Sequence, residues 1–136
     1  MKESSPNIVF DSSALISVLE GEKKGSQVID ILSKAVEEQA EKYVSVINWG
    51  EIMYVAEQKR GEEHRKKLEE AIDKMGLEIA DVNRETANQA IYFKAHYHLD
   101  YADSFAAALA FLKKAVLVTG DRDFQRIKSQ VSIHLL

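Results

Sequence analysis

Asn7-Ile8-Val9-Phe10-Asp11-Ser12-Ser13-Ala14-Leu15-Ile16 decides how the rest of the chain is read. Ile8, Val9 and Phe10 form a short apolar run, β-branched and aromatic, without the polar alternation of a half-exposed strand, so they predict a strand buried on both faces. Such a strand belongs inside a parallel sheet. The run stops at a carboxylate and two hydroxyl residues suited to starting a helix, and Leu15, Ile16 and Leu19 then recur at helical spacing. Asp11 therefore sits where strand becomes helix. In open α/β sheets ligands gather at the carboxyl ends of strands, where the chain winding reverses, which makes an acid there a candidate site residue. Taken alone, Asp11 reads more readily as a helix cap than as part of a site.

The same grammar recurs further along the chain. Tyr43-Val44-Ser45-Val46-Ile47 predicts a second strand, followed by Asn48-Trp49-Gly50-Glu51, in which Asn48 can cap a helix and Glu51 completes a capping box. Glu51 also shares a helix edge with Tyr54 and Val55, which places it at the border of a buried stripe. Leu77 to Ala80 predicts a third, more amphipathic strand near a sheet edge, with Asp81 as a loop acid. Ala115-Val116-Leu117-Val118-Thr119 is a strongly apolar strand ending in Gly120-Asp121-Arg122-Asp123-Phe124, and Val131 to Leu135 makes a short last one.

Between the strands lie amphipathic helices. Gly21 to Gly25 is a charged turn, and Val28, Ile29, Leu32, Ala35 and Val36 trace the buried stripe of the helix after it. Gly61 to Lys74 pairs Glu62 with Lys66 and Glu63 with Lys67 in favourable register, a solvated face. Glu85 to His98 is a helix with Ala87, Ala90, Ile91 and Ala95 inward. Asp100 caps the next helix. Asp103 differs, because Ala106, Ala107 and Ala110 at i+3, i+4 and i+7 form a small-residue face that lets this helix lie close to the sheet and carry the carboxylate inward. Five strands alternating with helices imply a three-layer α/β/α sandwich with a mostly parallel five-stranded sheet. The two most apolar strands should be central and adjacent.

With 136 residues, 46% hydrophobic and 29% charged, the chain suits one globular domain over 1–136, with residues 1–6 expected as a flexible tail. No segment resembles a secretory signal or a membrane span, so a cytoplasmic location is expected. The absence of cysteine excludes disulfides and thiolate metal sites, and the four histidines lack zinc-ligand spacing. Any metal here would be held by oxygen. A net charge of −4 disfavours coating of nucleic acid by bulk electrostatics, but not an enzyme that meets a phosphodiester through bound cations.

Asp11, Glu51, Asp103 and Asp121 each have a bland explanation, but all four would have to hold together. Four inward acids at one sheet edge are better explained as one site. Two carboxylates ~5 Å apart repel by about 3 kcal/mol at an effective dielectric of about 20, and in a quartet every member repels each of the others. Either some are protonated at neutral pH or cations hold them, and the matching cations are Mg²⁺ or Mn²⁺, one or two ions. Carboxylate-held metals of this kind activate water and neutralise charge on a phosphodiester.

At these residues a family is legible. Val-Phe-Asp-Ser-Ser-Ala-Leu, Ser-Val-Ile-Asn-Trp-Gly-Glu, Tyr-Ala-Asp-Ser-Phe-Ala-Ala-Ala-Leu-Ala and Leu-Val-Thr-Gly-Asp-Arg-Asp-Phe, in that order, closely resemble the PIN-domain ribonucleases, particularly the VapC-type toxins. The resemblance covers nearly the whole chain. It implies metal-dependent RNA hydrolysis, homodimerisation and inhibition by a small antitoxin partner. By position, Asp11, Glu51, Asp103 and Asp121 match the family's acidic quartet, with Asp11 and Asp103 the firmest metal ligands. Ser13, Thr119 and Asp123 match supporting polar positions, and Arg122 is a candidate phosphate contact. Two rivals stand beside this reading. One is a non-catalytic PIN-like binding module. The other is a magnesium-dependent phosphatase or receiver-type domain, which would want a second acid where Ser13 stands, or paired early acids and a late lysine.

Overall fold

The computed structural model describes residues 6–136; the expected N-terminal tail lies, but for Pro6, outside the described residues. The order of elements is β1 (Ile8–Phe10), α1 (Ser12–Leu19), α2 (Gly25–Glu37), β2 (Lys42–Ser45), α3 (Val46–Arg60), α4 (Glu62–Lys74), β3 (Glu78–Ala80), α5 (Arg84–Tyr97), α6 (Tyr101–Lys113), β4 (Val116–Thr119), a 3₁₀ turn (Arg122–Ile127) and β5 (Ile133–Leu135). The strands form one sheet in the order β3-β2-β1-β4-β5, and every neighbouring pair is parallel. β1 lies in the middle and pairs with β4, Val9 opposite Leu117 and Phe10 opposite Val118. The two most apolar strands are therefore adjacent, as their composition predicts, and β3 is an edge strand.

The alternation of side chains along β1 sends one residue to one core and two to the other. Val9 packs with Leu117, Phe93, Ala106, Ala107 and Ala110 on the face covered by α5 and α6. Ile8 and Phe10 pack with Val118, Leu15, Val28, Ile52 and Ile72 on the face covered by α1 to α4. Three layers follow, because a strand with no polar side chain must be covered on both sides. Val9, Phe10 and Leu117 are all fully buried, and each contributes about 1.5–3 kcal/mol by leaving water.

The chain winds outward from β1 through β2 to β3 and then returns across β1 to β4. The reversal of direction falls between the carboxyl ends of β1 and β4. Asp11 follows one of these strands and Asp121 follows the other.

Several local expectations are corrected. β2 ends at Ser45, and Val46 and Ile47, which look like strand continuation, open α3 because the Ser45 hydroxyl accepts from the Ile47 amide at 3.2 Å. Asn48 is therefore inside the helix rather than its cap, and Glu51 belongs to no capping box. Asp100 occupies the cap position of α6, but its side chain makes no capping bond. Ile29 and Val36 on α2 and Ile91 and Ala95 on α5 face solvent rather than core, and Tyr54 beside Glu51 is exposed as well. On α5 the buried positions are Thr86, Ala90 and Phe93, a stripe rotated by about one residue from the one periodicity suggests. The physical reason is that α5 rests mainly on α6, so its buried face is chosen by a neighbour that sequence spacing does not reveal. α3 turns into α4 at Gly61, whose φ of 90° is a conformation that side chains resist.

Candidate metal centre

Asp11 is 1% exposed and caps α1. Its Oδ1 accepts from the Ala14 amide at 2.9 Å, which starts α1, and from the Ser13 hydroxyl at 2.8 Å. Its Oδ2 accepts from Thr119 at 2.5 Å and from Ser13 at 2.9 Å. The two hydroxyls are in turn acceptors for the β4 turn: Ser13 for the Gly120 amide at 3.1 Å, Thr119 for the Asp121 amide at 2.9 Å. Strand β1 and strand β4 are thus joined at their carboxyl ends by a continuous set of hydrogen bonds. Burial pushes the Asp11 carboxyl up, and the charge of Asp121 pushes it further, while the donors from Thr119, Ala14 and Ser13 oppose the rise.

Glu51 projects from the second turn of α3 and accepts from the Ser12 hydroxyl at 2.5 Å. Ser12 is nearly buried and stands next to Asp11, so α1 orients acids on two different elements. Asp103 lies in the first turn of α6, whose Ala106, Ala107 and Ala110 are all buried against the sheet, and this close packing brings the carboxylate to the strand ends. Asn48, fully buried, ties α3 to α6 by donating to the Ala102 carbonyl at 3.3 Å, one residue before Asp103. Asp121 caps the 3₁₀ turn, its Oδ1 accepting from the Asp123 amide at 2.9 Å.

The Asp103 carboxyl is pushed up to about 7, first by burial and then by the charges of Asp121, Asp11, Asp100 and Glu51. All three other acids of the predicted quartet therefore act on one carboxyl. Asp100 joins them, a contribution the sequence reading missed by assigning it to capping; its spacing of three residues from Asp103 on one helix was the available signal. Ser12 was missed too, because adjacent hydroxyls offered no basis for choosing between them. Asp123 points elsewhere: its carboxylate pairs with Arg126 at 3.3 Å, and only its backbone amide serves the site. Arg122 is exposed.

Carboxylate and hydroxyl oxygens make up this donor set, which is the chemistry that suits Mg²⁺ or Mn²⁺ and disfavours softer ions. Among the described residues no three acidic or histidine side chains form a ready-made metal cage. Both oxygens of Asp11 and one of Glu51 are already engaged by hydroxyls. The residues fit a hard divalent ion by type and by their unrelieved mutual repulsion.

Residues 8–130 match the family model of the PIN domain. No curated protein sequence matches the chain. Among solved structures, that of VapBC2 from Rickettsia felis bound to a promoter DNA fragment is similar with a TM-score of 0.78 at 15% identity, covering 94% of this chain and 97% of that one. DNA-bound VapBC from Salmonella typhimurium gives 0.75 at 18% identity, covering 96% and 98%. VapC20 from Mycobacterium tuberculosis, a toxin that cleaves the sarcin-ricin loop, gives 0.67 at 14% identity, covering 88% and 93%. At such identities the structural likeness speaks for the fold, and the family model, spanning most of the sequence, decides membership: this chain belongs to the PIN domain family.

Proposed function

We propose that the protein is a Mg²⁺- or Mn²⁺-dependent endoribonuclease, the toxin of a VapBC-type toxin-antitoxin pair. The observation that carries this reading is the gathering of acids around a half-buried Asp103, whose carboxyl is raised to about 7 first by burial and then by the charges of Asp121, Asp11, Asp100 and Glu51. Asp11 and Asp103 would hold the ion, with Glu51 and Asp121 completing its surroundings. When bound, the ion activates water and offsets the charge that develops on the phosphodiester.

The chain's own residues supply orientation. Thr119 and Ser13 lock the plane of the Asp11 carboxylate, and Ser12 aims Glu51. Asn48 holds the start of α6, and so Asp103, against α3. Arg122, exposed and next to Asp121, would meet a phosphate of the substrate in this reading.

A small antitoxin and a second copy of the chain are the partners this reading carries. The relatives from Rickettsia felis and Salmonella typhimurium are VapBC assemblies. On this chain a groove lined by Ile16, Leu19, Ile52, Val55 and Leu68 supports an apolar partner segment. The exposed Ile91 and Tyr101 on α5 and α6 support burial in a homodimer.

The deciding experiment is incubation of mixed cellular RNA with the purified protein in Mg²⁺, Mn²⁺ or EDTA, followed by mapping of the cut ends. Cleavage at discrete positions that requires the metal and is lost in Asp103→Asn supports the reading. Cleavage that persists in EDTA, or none at any metal concentration, would favour a binding module instead.

A further inference from the structure

An acidic pocket that handles RNA needs cations at its rim, because a chain of net charge −4 otherwise repels the strand it must bind. Lys24 supplies one from an unexpected element, the turn between α1 and α2. The approach of this turn to α1 is tight: a Cβ added to Gly25 would lie 2.5 Å from the Ser17 carbonyl oxygen. The Glu22 amide bonds to that same oxygen at 2.8 Å and the Gly25 amide to the Glu22 carbonyl at 2.9 Å. Lys24 has helical backbone angles at the head of α2, and its carbonyl accepts from the amides of Gln27 and Val28. Its backbone is therefore fixed while its side chain is exposed.

That side chain runs alongside Gly120, the residue between Thr119 and Asp121. A Cβ added to Gly120 would lie 3.8 Å from Lys24 Nζ, 3.9 Å from its Cδ and 3.7 Å from Ser13 Oγ. The ammonium thus stands beside the backbone that links two site residues and near the hydroxyl that holds Asp11. Among the described residues it makes no ion pair and no hydrogen bond. A cation positioned with no internal partner has its charge available for a ligand.

We propose that Lys24 grips a phosphate of the RNA strand beside the one that is cleaved, approaching from the side of the pocket opposite α6. The assignment rests on the nuclease reading above. Lysine fits such a role as a compact point charge on a flexible stem that follows the backbone of any sequence.

The test is binding of a fluorescently labelled single-stranded RNA by wild type, Lys24→Ala and Lys24→Arg across a salt series, in EDTA and again in Mg²⁺ on an Asp103→Asn background. Lys24→Ala should weaken binding about three- to tenfold and lower the salt slope by about 0.7, the value for one phosphate contact on a single strand, and Lys24→Arg should restore both. In cleavage assays of the otherwise wild-type protein, KM should rise by more than kcat falls, at an unchanged half-saturating Mg²⁺ concentration. Equal affinity and slope in Lys24→Ala would overturn the assignment, as would a shifted Mg²⁺ requirement at constant RNA affinity, which would make Lys24 a counter-ion for the acids. If wild type neither binds nor cleaves RNA, the nuclease reading itself fails and Lys24 falls with it.

Discussion

Thr119 Oγ1 donates to Asp11 Oδ2 at 2.5 Å, joining the ends of two adjacent strands through residues 108 positions apart. Thr119 also accepts the Asp121 amide, so one fully buried hydroxyl sets the place of two of the four acids. Thr119→Val keeps the shape and removes both bonds. It should cost about 1–3 kcal/mol of stability, as expected for buried partners left unsatisfied. RNA cleavage should fall by about tenfold or more, and Thr119→Ser should recover most of both. Chemical denaturation and cleavage rates measured side by side check this.

Ser12 and Glu51 form a second such pair, and here the hydroxyl serves a single acid. Ser12→Ala should leave Glu51 able to rotate, lowering cleavage by about threefold to tenfold at a stability cost of about 0.5–1.5 kcal/mol, the net worth of one hydrogen bond. Combining Ser12→Ala with Glu51→Gln should cost little more activity than Glu51→Gln alone. Additive losses in that double-mutant cycle would show that Ser12 acts on something other than Glu51.

Asp103 carries a pH signature. Its folded-state carboxyl, at about 7, lies above the ordinary value of 3.8, so the folded protein holds a proton that the unfolded chain releases. In metal-free buffer, stability should therefore fall as pH rises from about 4 to about 7, and level off above that. Asp103→Asn should flatten much of this slope and melt higher than wild type at pH 8, while cleaving RNA at least about a hundredfold more slowly. Thermal melts of both proteins at pH 5 and pH 8 are the measurement.

Divalent metal should reverse the same trend. An ion that binds the ionised acids of the folded state stabilises it by mass action, so Mg²⁺ or Mn²⁺ should raise the melting temperature more at pH 8 than at pH 5. The increment should shrink in Asp103→Asn. Equal metal-induced shifts in wild type and variant at pH 8 would place the ion away from Asp103.

Gly25 tests the turn that carries Lys24. Because a Cβ there would meet the Ser17 backbone at 2.5 Å, Gly25→Ala must push α2 away from α1. A loss of about 1–3 kcal/mol is expected from overpacking at so tight a contact. Gly120→Ala, whose added Cβ meets nothing closer than 3.7 Å, should be far milder. Denaturation midpoints of the two variants make the comparison.

What the amino-acid order determined by itself is the succession of strands and helices, the central pairing of β1 with β4, and the delivery of Asp11 and Asp121 to their carboxyl ends. The elements are local properties, because apolar run length, capping residues and helical spacing act over fewer than about ten residues, and the pairing follows because the two most apolar strands must both be covered on both faces. The tertiary structure alone decided that Ser12 rather than another hydroxyl orients Glu51, and that Asn48 bridges α3 to α6 instead of capping. It also decided that Ile29, Val36 and Ile91 face solvent, and that Lys24 lies along Gly120. In each case the deciding partner sits on another element, and which face of a helix is covered depends on how distant segments pack rather than on the spacing of its own residues.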